Sequence, residues 1–115
     1  MNNQEIKPQI IAQTENFVAW RADEPDGETT FHLDINNLTI HFFQEEWDEF
    51  LEFSNLITKA ASEKVDEVIA ETATFLATLE KTGSDEKIYV LEISGASIYL
   101  YEPDWLEFKA LIKEL

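Results

Sequence analysis

The chain has no cysteine, three glycines, three prolines and one arginine, Arg21, within a total of eight basic residues. Each shortage excludes something. Without cysteine there are no disulfides, no thiolate nucleophile and no cysteine-containing zinc site. The glycines are isolated at positions 27, 83 and 95, so no glycine-rich loop can cradle a phosphate, and no Gly-x-Ser-x-Gly elbow occurs. One arginine and seven lysines against twenty-four carboxylates give a formal net charge of −16. Nucleic-acid binding depends on cations that neutralise phosphates, so direct contact with DNA, RNA or an anionic membrane is disfavoured. No run approaches the ~18 apolar residues of a membrane span. Residues 1–10 are polar with a single lysine, unlike a secretory signal. These features predict a cytoplasmic protein without a cofactor.

What is present points to a folded domain. Hydrophobic residues make up 44% and aromatics 12% of 115 residues, enough for one core and too little for two independent ones. The acidic excess keeps a small domain soluble. It also suits a basic protein partner or, as a further alternative, mimicry of nucleic-acid phosphates to inhibit such a partner.

An internal similarity organises the chain. Shifting the sequence by 58 positions lays Ile35 on Ile93, Ile40 on Ile98, Trp47 on Trp105, Glu49 on Glu107 and Phe50 on Phe108. Asp34 falls on Glu92, Thr39 on Ser97 and Glu46 on Asp104. A search for fixed-period similarity precedes any fold assignment, and here it predicts two ββα-like units, about 28–57 and 87–115. Both lie in a single domain over 1–115 with a flexible tail at 1–8.

Local patterns fill in the units. Residues 9–20 carry short apolar clusters that read as one or two strand pieces, and Glu24-Pro25-Asp26-Gly27 is turn chemistry. Alternating runs flank Asn36-Asn37, the signature of a tight hairpin. That turn pairs Ile35 with Leu38, Leu33 with Ile40 and Phe31 with Phe42 on an apolar core face. Asp34–Thr39, His32–His41 and Thr30–Phe43 then share a polar, solvent-facing side.

The second hairpin, around Ser94-Gly95, places Tyr89, Leu91, Ile93, Ala96, Ile98 and Leu100 on its core face. Its reverse carries Ile88, Val90, Tyr99 and Tyr101, too apolar for free solvent. Either the N-terminal strand or a helix covers it, or it is an association surface. Homodimerisation through Ile88, Val90, Tyr99 and Tyr101 is the simplest association.

Each hairpin leads into an acidic helix start. Trp47, Phe50, Leu51, Phe53, Leu56 and Ile57 form the stripe of the first helix, and Pro103 opens the second ahead of Trp105, Phe108, Leu111 and Ile112. Between them Val65, Val68, Ile69, Phe75, Leu76 and Leu79 recur at helical spacing, which predicts a helical connector over about 62–82 capped by Ser62. It is either separate from the first helix or continuous with it from 45 to 81. The expected fold is therefore α+β: a mostly antiparallel sheet of about five strands with helices packed on one face.

Chemistry is sparse. His32 and His41, the only histidines, face each other with Asp34 diagonally near, three candidate metal ligands. Their placement separates two readings. Histidines converging with a carboxylate in a pocket support a small-molecule or metal-dependent enzyme, whereas solvated histidines on an open sheet support a non-enzymatic binding or regulatory module acting through protein contacts, the reading favoured here. Trp47 and Trp105 fit core positions between helix and sheet. Trp20 precedes Arg21, a pair that a cation–π contact would join.

Overall fold

The computed structural model describes residues 8–115. The tail expected over 1–8 therefore lies outside the described residues except for Pro8, which is exposed ahead of the first strand. The chain is α+β. Strands β1 (Gln9–Gln13), β2 (Phe17–Asp23), β3 (Thr29–Ile35) and β4 (Leu38–Phe42) are followed by helix α1 (Gln44–Lys59). Strands β5 (Glu67–Glu71), β6 (Leu76–Lys81), β7 (Lys87–Ile93) and β8 (Ala96–Tyr101) are followed by helix α2 (Glu102–Ile112). They form two antiparallel four-stranded sheets, ordered β1-β2-β3-β4 and β5-β6-β7-β8.

This corrects the expected architecture in three respects. A single sheet of about five strands is replaced by two sheets of four. The helical connector over 62–82 does not form: α1 ends at Lys59, and residues 67–81 are the β5–β6 hairpin. The two ββα segments prove to be the later parts of two longer ββββα units, which begin at Gln9 and Glu67, 58 positions apart.

The hairpin registers agree with the alternation. Phe31 opposes Phe42, His32 opposes His41, Leu33 opposes Ile40, Asp34 opposes Thr39 and Ile35 opposes Leu38. In the second unit Tyr89 opposes Leu100, Val90 opposes Tyr99, Leu91 opposes Ile98 and Ile93 opposes Ala96. The turns explain why these registers hold. Asn36 takes φ 55°, Ser94 φ 51° and Gly95 φ 81°, the left-handed region in which Asn and Gly are favoured. Two expectations fail at the strand ends. Leu38 is 40% exposed beside the turn, and Phe43 leaves the ladder to become the N-cap of α1, where its backbone N–H donates to Glu46 Oε1 at 3.0 Å.

One continuous core joins both sheets and both helices. Trp47 and Trp105 are buried, and each stacks on the residue that opens the core face of its own third strand. Trp47 lies over Phe31 at 4.9 Å and 5°, and Trp105 over Tyr89 at 4.6 Å and 5°. Such stacks contribute roughly 0.5–1.5 kcal/mol beyond the area they bury. The helices also reach across the molecule: α1 packs on β3, β4 and β5, and α2 on β7, β8, β1 and β2. Phe75, at the tip of the β5–β6 hairpin, accordingly sits among Phe42, Phe50 and Phe53 of the first unit.

A pair of carboxylates repeats that crossing in polar form. Glu49 on α1 accepts from the Thr72 hydroxyl (2.5 Å), the Thr74 backbone N–H (2.7 Å) and the Thr74 hydroxyl (2.9 Å to Oε1). Glu107 on α2 accepts from the Thr14 hydroxyl (2.6 Å), the Asn16 backbone N–H (2.6 Å) and the Asn16 side-chain amide (2.9 Å to Oε1). Each helix thereby holds the first hairpin of the opposite unit. The Thr72 hydroxyl above all, together with the two Thr74 bonds, holds the Glu49 carboxyl below its ordinary range against the upward pull of desolvation. For Glu107 desolvation pushes upward, but the bonds from Asn16 and Thr14 outweigh it and the net direction is again downward.

The connector shows why local propensity misleads. Nothing in Ala60-Ala61 opposes a helix, yet Ala60 turns extended at ψ 126°. Beyond it Glu63 accepts the indole N–H of Trp105 at 3.0 Å and the ammonium of Lys109 at 2.9 Å. Ser62 therefore caps no helix, and the chain is drawn across α2 into β5 by tertiary contacts that outweigh the alanines' preference.

Candidate functional site

The outward faces of the two sheets carry the candidate residues. On the first sheet one row crosses all four strands as Ile10, Trp20, His32 and His41. The structure brings the two histidines together, with ring centroids 4.5 Å apart and planes at 81°. His32 is not solvated as expected. It is 6% exposed, because the Trp20 indole lies flat against it at 3.8 Å and 12°. His41 is exposed. The His32 Nε2 is 2.9 Å from the Thr30 hydroxyl, while Nδ1 is buried with no partner among the described residues. Desolvation first, and then the neighbouring His41, pull the His32 pKa below its ordinary value, with Glu24 and Asp34 opposing weakly.

Asp34 is committed elsewhere. One carboxylate oxygen accepts the Trp20 indole N–H at 3.0 Å and the other accepts the Thr39 hydroxyl at 2.7 Å. Among the described residues no three His, Asp or Glu side chains are grouped as a metal site requires. The histidines also line none of the main surface depressions; the one at the start of α1 is bordered by Glu28, Phe43, Glu45 and Glu46. The row is thus a closed polar and aromatic stack, with one histidine buried and the other open. Among the described residues no cation–π contact joins Trp20 to Arg21, since consecutive strand residues point to opposite faces. Arg21 pairs instead with Asp23 at 3.2 Å.

The corresponding row on the second sheet runs Val68, Thr78, Val90 and Tyr99. Next to it Glu80, Ile88 and Tyr101 form a second row, and Glu71, Leu76, Glu92 and Ser97 a third. Of the four residues expected at an interface, Tyr99 is 65% and Tyr101 51% exposed, Ile88 is half-buried and Val90 is buried. Val68, whose spacing predicts a place in a helix stripe, lies instead in this face and is 55% exposed. The N-terminal strand does not cover the strip; it pairs with β2 in the other sheet. Both helices pack on the opposite, core side, where Tyr89, Leu91, Ile98 and Leu100 are buried.

Sequence reasoning missed Trp20 as the residue that buries His32, and Glu71, Glu80 and Val68 as members of the second face. The 58-residue shift carried the missing signal. It lays Thr14 on Thr72, Phe17 on Phe75, Ala12 on Ala70 and Ala19 on Ala77, which transfers the β1–β2 hairpin onto residues 67–81. Among the described residues no helix is long and apolar enough to cross a membrane. Compared with known proteins, the chain matches no family model, no curated protein and no solved structure.

Proposed function

We propose that the protein is a non-enzymatic, acidic binding module working through protein contacts in the cytoplasm, built as a duplicated ββββα unit, with the outer face of β5–β8 as its contact surface. The observation that carries this reading is the pair Tyr99 and Tyr101, 65% and 51% exposed beside exposed Val68. Tyrosines on an open apolar strip have the composition of protein interfaces. The duplication is supported by the two element orders set 58 positions apart and by identical pairs such as Leu33/Leu91 and Trp47/Trp105. In the first unit Trp20 and His32 occupy the equivalent surface with a stack of their own, leaving the second unit as the binding half.

The test is a photo-crosslinking amino acid placed at Tyr99, or at the equivalent His41, in the protein expressed in its native host. Adducts to another protein at position 99 and none at 41 are expected. An adduct with a second copy would identify homodimerisation. No adduct at 99, or equal labelling at both positions, would overturn the reading.

A further inference from the structure

Resting on that reading, we infer that the outer face of β5–β8 takes a basic, arginine-bearing segment of a partner protein in preference to a second copy of this chain. The strip is not only apolar. Its rows interleave Val68, Val90, Tyr99 and Tyr101 with the exposed carboxylates Glu71, Glu80 and Glu92, and among the described residues they contain no cation. Glu92 is the diagonal cross-strand neighbour of Tyr99, because it opposes Ser97 while Tyr99 opposes Val90. Glu80 lies in line with Tyr101 across Ile88. A guanidinium can lie against a tyrosine ring while its N–H groups meet a carboxylate, satisfying both features of the surface at once.

The equivalent position in the first unit shows what distinguishes Glu92. Asp34 is occupied by Trp20 and Thr39, whereas Thr78 and Ser97 stand where those two donors would be, and among the described residues the Thr78 hydroxyl reaches only Glu80, at 3.5 Å. Glu92 is exposed and retains acceptor capacity for an incoming donor. A second copy meets the opposite situation. A two-fold axis through this face would bring Glu71, Glu80 and Glu92 toward their own counterparts, between chains that each carry −16. Charge complementarity therefore selects the basic occupant.

The probe is a fluorescein-labelled peptide of alternating arginine and leucine, with lysine–leucine and glutamate–leucine analogues, titrated against the full chain by fluorescence anisotropy. Tyr99→Ala/Tyr101→Ala and Glu80→Gln/Glu92→Gln are each expected to weaken arginine-peptide binding by about tenfold or more, the scale of one or two lost cation–π or ionic contacts. The lysine analogue should bind more weakly than the arginine peptide, and the glutamate analogue should not bind. Glu15→Gln/Glu52→Gln removes the same charge from exposed positions elsewhere and should change affinity by less than about threefold, since salt screens distant charges. Circular dichroism and thermal melts confirm that each variant folds.

Equal weakening by the two charge pairs would reduce the effect to polyanion attraction and overturn the inference. So would absence of peptide binding while position 99 still crosslinks to another protein, an outcome that leaves the contact surface standing. Crosslinking of position 99 to a second copy would also overturn it. Absence of both peptide binding and crosslinks would remove the contact surface itself.

Discussion

The two outward sheet faces occupy the same place in the same element order and have opposite chemistry. Across the first runs Ile10, Trp20, His32 and His41, and across the second Val68, Thr78, Val90 and Tyr99. In both rows the third position is buried, at 6% exposure for His32 and 8% for Val90. The two are covered by different neighbours, and the sequence decides how each is satisfied. Histidine is accommodated by a flat indole at 3.8 Å and a threonine hydroxyl at 2.9 Å. Valine needs neither, which frees Thr78 and Tyr99 from supporting it. The inward faces, by contrast, repeat Phe17/Phe75, Ala19/Ala77, Leu33/Leu91 and Ile40/Ile98 unchanged, because the core tolerates only close substitutes, and depart from one another toward the sheet margin, where Arg21 stands in the place of Leu79.

The strongest way to break this comparison is to test the inward faces for equality. Leu33→Ala and Leu91→Ala remove identical, fully buried side chains at equivalent positions, and each is expected to cost on the order of 2–4 kcal/mol in urea unfolding. A difference much above 1 kcal/mol would show that the two halves do not bear on the core alike.

Exchanging the buried third positions should have a smaller and asymmetric effect. Val90→His places an imidazole between Thr78 and Tyr99, with Thr78 in place of the indole and Ile88 in place of the Thr30 hydroxyl that hold His32, and should cost about 2 kcal/mol. His32→Val should cost about 1 kcal/mol or less, since it also removes the buried, unpartnered Nδ1. It should change the pH response as well. The His32 pKa is depressed in the fold, so the unfolded chain takes up that proton first, and stability falls as the pH drops through the ordinary imidazole value of ~6.5. Above that value the group is neutral in both states and contributes no slope. Denaturation curves for His32→Val should lack this component as the pH falls below about 6.5, and an unchanged slope would mean that His32 is not perturbed by the fold.

An effect as small as that of His32→Val is expected from the carboxylates that cross between units. Glu49→Gln and Glu107→Gln each weaken three charge-assisted hydrogen bonds that stand close to solvent, and each should cost about 1 kcal/mol. Because both carboxyl pKa values are lowered in the fold, their contribution is present above the ordinary glutamate range and lost as the pH falls through the folded values. That window lies well below the one in which His32 acts. A marked inequality between the two variants at neutral pH would separate clasps whose distances are nearly the same.

The hairpins at Asn36 and Ser94 were legible because turn residues and strict alternation set one register, in which a slip of one position would turn Leu33 or Leu91 out of the core. The helix stripes were legible through Trp47, Phe50, Trp105 and Phe108. Residues 67–81 were not, for three physical reasons. Their turn, Thr72-Ala73-Thr74, lacks the glycine or proline that marks a hairpin, and its polar partner, Glu49, lies 23 residues earlier. A bulge between Val68 and Ala70 breaks the two-residue period. Ala70 and Ala77 also point inward where large apolar residues would have signalled a strand. On the candidate faces, the opposition of His32 to His41 was legible. The burial of His32 was not, since it depends on Trp20 from a strand whose pairing the local pattern left open. The exposure of Tyr99 and Tyr101 likewise depends on which side of the sheet the helices choose.

The reciprocal reach of Glu49 and Glu107 has a consequence for how such a molecule can change over time. A symmetric pair of separate chains would suffer every substitution twice, so a tyrosine gained on one outward face would appear on both and a stack lost from one would be lost from both. Here the arms cross as they would between partners, yet the two halves are written separately in a single chain. Each outward face can drift without its counterpart, while the crossed arms hold the shared scaffold in alignment.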